Sequence, residues 1–372
     1  METTICKLLG ISLPIFAFSH CRDVVVEVTK AGGFGVFGAS TFSPEQFEAE
    51  LRWIDEHTDG RPYGVDVLIP ARYDQKAEAA PDQLENLIPP EQRDFMEKIL
   101  SEHGVGPLPP EEQDRAQAEL LSGRGGMTPN GARKLVNIAI NHPQVRMVVS
   151  ALGAPPPDIV ELLRTHDIVI GAMCGKPSHA ARQIEAGVQV IVAQGTEAGG
   201  HTGDISTLVL VPEIVAMATD DVMVLAAGGI TQGSQIAAAL AMGAQGVWCG
   251  TIWLGTVESE LNEFEKSVLF ATKAEDTVRR KARTGKTVRM IKSEMSEAWE
   301  RPDTPGYLQT PLQGTLYGQA HARIVRAKCK DLYSFPAGQS VGMVNKESTV
   351  ANVMYQLQTE YVEAIERLMA LT

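Results

Sequence analysis

The stretch Gln194-Gly-Thr-Glu-Ala-Gly-Gly-His201-Thr-Gly203 joins a side chain that titrates near neutral pH to a run of glycines, directly after the apolar run Val188–Ala193. A core histidine lies within an apolar periodic segment. His201 does not, so it reads as an exposed loop residue able to accept a proton. Gly195, Gly199, Gly200 and Gly203 would let the backbone approach a flat or anionic ligand closely. Two more glycine turns follow. Ala226-Ala-Gly228-Gly229-Ile closes one apolar run just before a helix start near Gln232, and Trp248-Cys-Gly250-Thr251 closes the next. Glycine at consecutive strand ends beside a helix start can hold a phosphate with main-chain N–H groups and the helix dipole, and Thr251 adds a hydroxyl donor.

Two other motifs point away from their usual chemistry. Gly33-Phe-Gly35-Val-Phe-Gly38 fits the dinucleotide fingerprint, but an amphipathic segment precedes it and the next helix begins only near Pro44. The order is reversed, and the reading is a helix-ending glycine followed by a short strand. Gly338-Gln-Ser340-Val-Gly342 fits the serine-hydrolase elbow, yet no histidine follows His321. It reads as a glycine turn lying close to a ligand or another backbone.

Elements must hold these loops in place. Eight short apolar runs are predicted strands: Ser12–Phe18, Gly35–Phe37, Tyr63–Leu68, Val145–Ser150, Ile168–Met173, Val188–Ala193, Met223–Ala227 and Gly246–Cys249. Runs that are apolar throughout, rather than alternating, belong to parallel strands covered on both faces. Helical segments lie between them. Ser43-Pro44-Glu45-Gln46 and Thr128-Pro129 are capped starts, and Gln232–Met242 stops at Gly243. Eight strands at βα spacing predict a (β/α)8 TIM barrel, an α/β fold, with an open doubly wound sheet as the alternative. Residues 1–70 and 131–256 would form the barrel in two parts. Residues 71–130 would be a helical insertion, possible as a lid, with helix starts at Ile88-Pro-Pro-Glu-Gln and Leu108-Pro-Pro-Glu-Glu. A C-terminal helical extension follows, with 257–345 as a subdomain over the mouth and 346–372 as a helix on the barrel. The basic cluster Arg279-Arg280-Lys281 to Arg289 is expected on a solvated helix.

Composition sets outer bounds. With 33 Lys+Arg against 46 Asp+Glu, the net charge is −13, which repels phosphate backbones and anionic membranes. The 44% of hydrophobic residues suffices for a large core and excludes a disordered chain. Five scattered cysteines without C-x-x-C spacing suit a reducing compartment, and no leader or spanning segment stands out, so a cytoplasmic location is expected.

Ile11-Ser-Leu-Pro-Ile, Ala31-Gly-Gly-Phe-Gly, Ala193-Gln-Gly-Thr-Glu-Ala-Gly-Gly-His-Thr-Gly, Ala227-Gly-Gly-Ile and Gly243-Ala-Gln-Gly-Val-Trp-Cys-Gly-Thr resemble the nitronate monooxygenase (2-nitropropane dioxygenase) family. That family is related to flavin-dependent NAD(P)H:quinone reductases and flavin-type enoyl-acyl-carrier-protein reductases. The similarity spans about 11–68 and 145–255, and is fainter around Thr284 and Ala337. The resemblance implies non-covalent FMN. Its phosphate would lie on Gly228, Gly229, Gly250 and Thr251, its ribityl chain by Gln194, and its ring beside Gly199 and Gly200. The backbone of Ala17 and Phe18 would border the ring, Asp66 at the end of the third strand would face the cofactor region, Met173 would lie near the flavin, and His201 would be the catalytic base. Two departures stand out: Ala17-Phe18-Ser19-His20 replaces the Gln and Met usual after the first Pro-Ile, and Met173 stands where some relatives place a Lys. His20 either lines the substrate pocket or serves as a surface or capping residue.

The resemblance implies oxidation of nitroalkanes or alkyl nitronates with O2. The alternatives are a reductase of quinones or enoyl thioesters that takes electrons from NAD(P)H, and a flavin- or phosphate-binding protein without turnover. A small-molecule substrate is expected, with no nucleic-acid or membrane partner, and a monomer or homodimer.

Overall fold

The eight apolar runs become parallel strands because their side chains are buried whichever way they point. In the computed structural model, which describes residues 1–69, 81–122 and 128–371, the strands are β1 (Ile15–Ser19), β2 (Phe34–Gly38), β3 (Tyr63–Val67), β4 (Val145–Ser150), β5 (Val169–Cys174), β6 (Val190–Gln194), β7 (Gly200–His201), β8 (Met223–Ala227), β9 (Gly246–Cys249), β10 (Thr277–Arg280) and β11 (Val288–Ile291). Eight of them close a barrel in the order β1-β2-β3-β4-β5-β6-β8-β9, and β9 pairs back on β1 through Phe16 and Trp248. The fold is the expected TIM barrel, and the open sheet is excluded.

Alternation sorts the side chains. Ile15, Ala17, Phe37, Tyr63, Val65, Val148, Ile191 and Ala226 point outward into the helix shell. Phe16, Phe34, Val36, Met147, Val190, Leu225 and Trp248 fill the lumen. The barrel is therefore a packed core except at the end where the strands finish.

The helix starts read from sequence hold. Ser43 accepts from the Gln46 N–H at 3.2 Å while the Ser43 N–H donates to Gln46 Oε1 at 2.9 Å, with Pro44 at the first helical position. Thr128 caps the helix Pro129–Ala139. The fingerprint glycines are, as expected, a helix end and a strand: the helix Arg22–Lys30 stops before Gly32 at φ +89°, and β2 follows.

The expectation of an all-helical region after Val257 is corrected. β10 and β11 pair antiparallel, and β7 adds to β11 with His201 opposite Val288 and Gly200 opposite Arg289. The basic cluster thus lies on a hairpin. Each strand has four residues, too few for a strong period, and the strand that anchors them is over 80 residues earlier.

Helices Pro81–Asn86, Pro90–Glu102 and Pro110–Ser122 lie between β3 and the helix Pro129–Ala139. Met96, Ile99 and Leu100 share a second core with Met295, Trp299, Tyr317 and Ile324 from the C-terminal region. Arg323 ties the two together, pairing with Glu97 and donating to the Gly106 carbonyl at 2.9 Å. The last helix, Val350–Met369, packs on the helix Gly233–Ala241, and Glu360 Oε2 accepts from the Gly233 N–H at 2.8 Å.

Candidate active site

At the mouth, the side of β1 to β3 is built from side chains. Phe18 points inward and stacks on Trp248, with centroids 6.0 Å apart and planes at 21°. The Ala17 side chain points outward and is fully buried, so only its backbone can border a ligand. The His20 ring meets the edge of Phe18 at 5.2 Å, and its Nδ1 donates to the Gly38 carbonyl at 2.9 Å. A Cβ at Gly38 would come within 2.6 Å of that ring, so the glycine at the end of β2 makes room for His20 over the lumen. Burial holds His20 below its ordinary 6.5, against the pull of the Gly38 bond. The ring is neutral, and with Nδ1 as donor, Nε2 is an acceptor.

Asp66 is the last inward residue of β3, between outward Val65 and Val67, and pairs across the ladder with Gly38 and Val149. It is 4% exposed, and its Oδ2 has no hydrogen-bond partner among the described residues. Burial alone pushes its carboxyl up to about 7.

The side of β6, β8 and β9 is built from backbone. Gln194 ends β6, half-buried and opposite Ala227. Gly228 and Gly229 turn with φ +108° and +74°, and the chain of 195–198 lies against them. A Cβ at Gly228 would stand 3.2 Å from the Ala198 nitrogen, and one at Gly229 3.2 Å from Glu197 Cβ. The first helix amides beyond are already occupied. Gln235 Oε1 accepts from the Thr231 and Gln232 N–H groups, and Glu360 takes Gly233. An anion here would rest on the glycine turns rather than on the helix N-terminus. Thr251 Oγ1 accepts from the Gly338 N–H at 2.9 Å, which leaves its own proton to donate.

The glycines of the 194–203 loop serve mainly to bring chains together. A Cβ at Gly199 would lie 2.8 Å from the Ala337 and Gly338 backbone, one at Gly195 2.1 Å from Thr207 Oγ1, and one at Gly203 2.4 Å from the Gly175 carbonyl. Gly200 alone of the four, at φ +81°, faces open space. The Gly338-Gln-Ser-Val-Gly342 segment is thus a turn against the loop backbone, as its sequence suggests; its Gln339 N–H donates to the Glu197 carbonyl at 2.8 Å.

His201 reaches the rim on β7. Its Nε2 lies 3.0 Å from the Thr284 hydroxyl on the hairpin turn. Burial of the ring, then the charges of Lys286 and Arg283, hold its pKa below 6.5, although the residue as a whole is exposed. The imidazole is neutral at pH 7 and able to take a proton. Arg289, 7% exposed, fastens the hairpin to the loop by donating to the Thr196 carbonyl at 2.7 Å and to Thr277 Oγ1 at 3.1 Å. Nothing in the sequence marks Arg289 for this task, because its partners Thr196 and Thr277 are remote from it along the chain. Met173, next to last in β5, is half-buried and inward, its carbonyl accepting from Gln183 Nε2 at 2.8 Å.

These features suit a flat ligand bearing a phosphate. Gly200 and Gly250 border open space, since a Cβ at either would meet nothing within 4 Å. Phe18 offers an aromatic edge, and Asp66 an unmatched polar atom. Residues 6–360 match the profile of the nitronate monooxygenase family. The chain belongs to that family. Rv1533 of Mycobacterium tuberculosis, described as a monooxygenase, is 44% identical over 100% of this chain and 99% of its own. A Staphylococcus aureus protein described as a nitronate monooxygenase is 27% identical over 96% of this chain and 97% of its own. The structure of nitroalkane oxidase from Streptomyces ansochromogenes aligns over 98% of this chain and 99% of its own, with TM-score 0.78 and 25% identity. That of FabK from Thermotoga maritima aligns over 100% of both chains at 0.74 and 22%, a likeness of fold alone. As a member of the nitronate monooxygenase family, the chain is an FMN-dependent oxidoreductase. Among the described residues, no helix is long and apolar enough to cross a membrane, and no cluster of metal-ligating side chains occurs.

Proposed function

We propose that the protein oxidises nitroalkanes, or the nitronates derived from them, with O2, and that His201 takes the α-proton of the neutral nitroalkane. The observation that supports this most is a neutral imidazole held at the rim by β7, beside the open cradle at Gly200. Bound FMN would supply the electron acceptor that the substrate carbanion reduces and that O2 reoxidises. The chain's own part is to hold and orient. The Gly228–Gly229 and Gly250–Thr251 turns would carry the phosphate, and Gln194 the ribityl chain. Gly200, Met173, Asp66, Phe18 and the backbone of Ala17 would border the ring. Gly199 would contribute only its peptide, because its α-carbon face is taken by Ala337 and Gly338.

His201 rests against Thr284, so a substrate must displace that hydroxyl to receive Nε2. Substitution His201→Asn should lower kcat/KM for a neutral nitroalkane by about 10²–10⁴-fold, the usual worth of a general base. Activity on the preformed nitronate should change by less than about tenfold, since no proton remains to be taken. Equal losses on both would reject His201 as the base. Flavin bleaching by NADPH without oxygen, with none by a nitronate, would replace this reading with that of a reductase.

A further inference from the structure

Buried carboxyl groups are matched by donors or cations, because a lone carboxylate away from water is costly. Asp66 breaks that rule. It is the one carboxyl among the described residues with a fully buried oxygen and no hydrogen-bond partner. Its surroundings explain why none is found. On β2 the facing residue is Gly38, and the following turn Ala39–Thr41 carries no charge. On β4 the facing residue is Val149, while Arg146 is exposed at the far end of the strand. Among the described residues, the titratable group set on that facing Gly38 is His20, which donates to its carbonyl through Nδ1 and is neutral. Behind β3, the Tyr63 phenol is bonded to Asp55 and turned away. Among the described residues, then, nothing answers the Asp66 Oδ2 atom, which lies at the end of β3 where the strand finishes rather than in the packed lower lumen.

We propose that Asp66, in its protonated form, recognises the imide edge of the flavin ring, so that ring binding and protonation of this carboxyl are coupled. The proposal rests on the flavin reading above. The imide edge presents one N–H between two carbonyl groups. A neutral carboxyl matches it, donating its O–H to one carbonyl and accepting the N–H at its other oxygen, two bonds that pair both carboxyl oxygens. An ionised carboxylate can accept the N–H but faces the carbonyl oxygens with a charge. The half-way point of this proton equilibrium near pH 7 in the free protein makes the coupling visible under ordinary conditions. Asparagine offers the same donor and acceptor with no proton to lose.

The test uses the full chain freed of flavin, titrated with FMN and, separately, with riboflavin by fluorescence quenching from pH 5.5 to 8.5. Riboflavin lacks the phosphate, whose own ionisation near pH 6 would otherwise intrude. Wild-type affinity for both should fall about tenfold or more as pH rises through 7. Asp66→Asn should bind riboflavin with an affinity that stays level with pH, should keep for FMN only the dependence that the phosphate brings, and should melt at a temperature no lower than the wild type. Parallel pH profiles in wild type and Asp66→Asn would overturn the coupling while leaving the flavin reading intact. A pH-dependent fall for FMN and a level profile for riboflavin would overturn it too, since the phosphate would then be the titrating group. Failure of the wild type to bind either flavin at any pH would remove the flavin reading and this one with it.

Discussion

Strand β3 carries an acidic neighbourhood on each face, and the two are built on opposite principles. On the outer face, Tyr63 donates its phenol to Asp55 Oδ1 at 2.9 Å. His142 holds Asp55 Oδ2 at 2.6 Å and Glu48 at 3.3 Å, and Arg52 completes the group through Glu48. Every carboxylate there has a donor. On the inner face, one residue away from Val65 and Val67, Asp66 Oδ2 has none. The outer group fixes helix Pro44–His57, the segment before β4 and β3 to one another, and is complete within the chain. The inner carboxyl oxygen has no such partner among the described residues. Five polar side chains are satisfied behind the strand, and one in front of it would be matched by a bound ligand on the proposal above.

Three substitutions can break or sharpen this contrast, read from unfolding of the flavin-free protein. The largest effect belongs to Asp55→Ala. It removes the acceptor of both Tyr63 and His142, two groups 0% and 7% exposed. At pH 6 the loss should be about 3 kcal/mol, the scale of a broken buried ion pair. A loss below about 1 kcal/mol in urea unfolding would reduce the outer group to an ordinary surface pair and erase the contrast. The next effect has the opposite sign. Asp66→Asn should stabilise the protein by about 2 kcal/mol at pH 8 and change nothing below about pH 3. The Asp66 carboxyl is held at about 7 in the folded chain against an ordinary 3.8. Both states are protonated below about pH 3. As pH rises, the unfolded chain ionises first, stability falls until the folded carboxyl ionises as well, and the deficit then stays. That gap corresponds to at most about 4 kcal/mol, and partial relaxation of the site halves it. A destabilised Asp66→Asn protein at pH 8 would mean that the carboxyl has a partner after all.

Much of this could be read from residues alone. All eight barrel strands stood out because parallel strands inside a helix shell are apolar on both faces, and the caps at Ser43 and Thr128 stood out because their donors and acceptors are local. The turns at Gly228 and Gly250 were legible for the same reason. What escaped depends on distant partners. The hairpin β10–β11 was taken for a helix because Thr-Val-Arg-Arg and Val-Arg-Met-Ile are short and charged, and their third strand is Gly200–His201. Gly199 looked like a glycine for a ligand, yet its space is taken by Ala337 and Gly338, over 130 residues away. His20 was visible as a residue near the mouth. Its place over the lumen followed only once Gly38 was seen to lie beneath it. Asp66 could be placed at a strand end from the sequence, but its want of a partner is a property of everything around it.

The smallest effect is also the most discriminating. Burial opposes a charge on His142, but Asp55 and then Glu48 outweigh it and raise the imidazole above its ordinary 6.5. The stabilisation it brings is complete below 6.5, where the unfolded chain is protonated too, and is lost as pH climbs through the raised value. Stability therefore falls with rising pH on both faces of β3, on one because a cation is discharged and on the other because an anion is created where none is welcome. His142→Gln should flatten only the part of the decline that begins above 6.5, and Asp66→Asn only the part that begins between 4 and 7. The two residues share no partner, so in the double variant the effects should add within about 0.5 kcal/mol. Urea unfolding at half-unit steps from pH 4 to 9 would show it. A single substitution that removed the whole slope would mean that one face governs both, and that β3 does not insulate them.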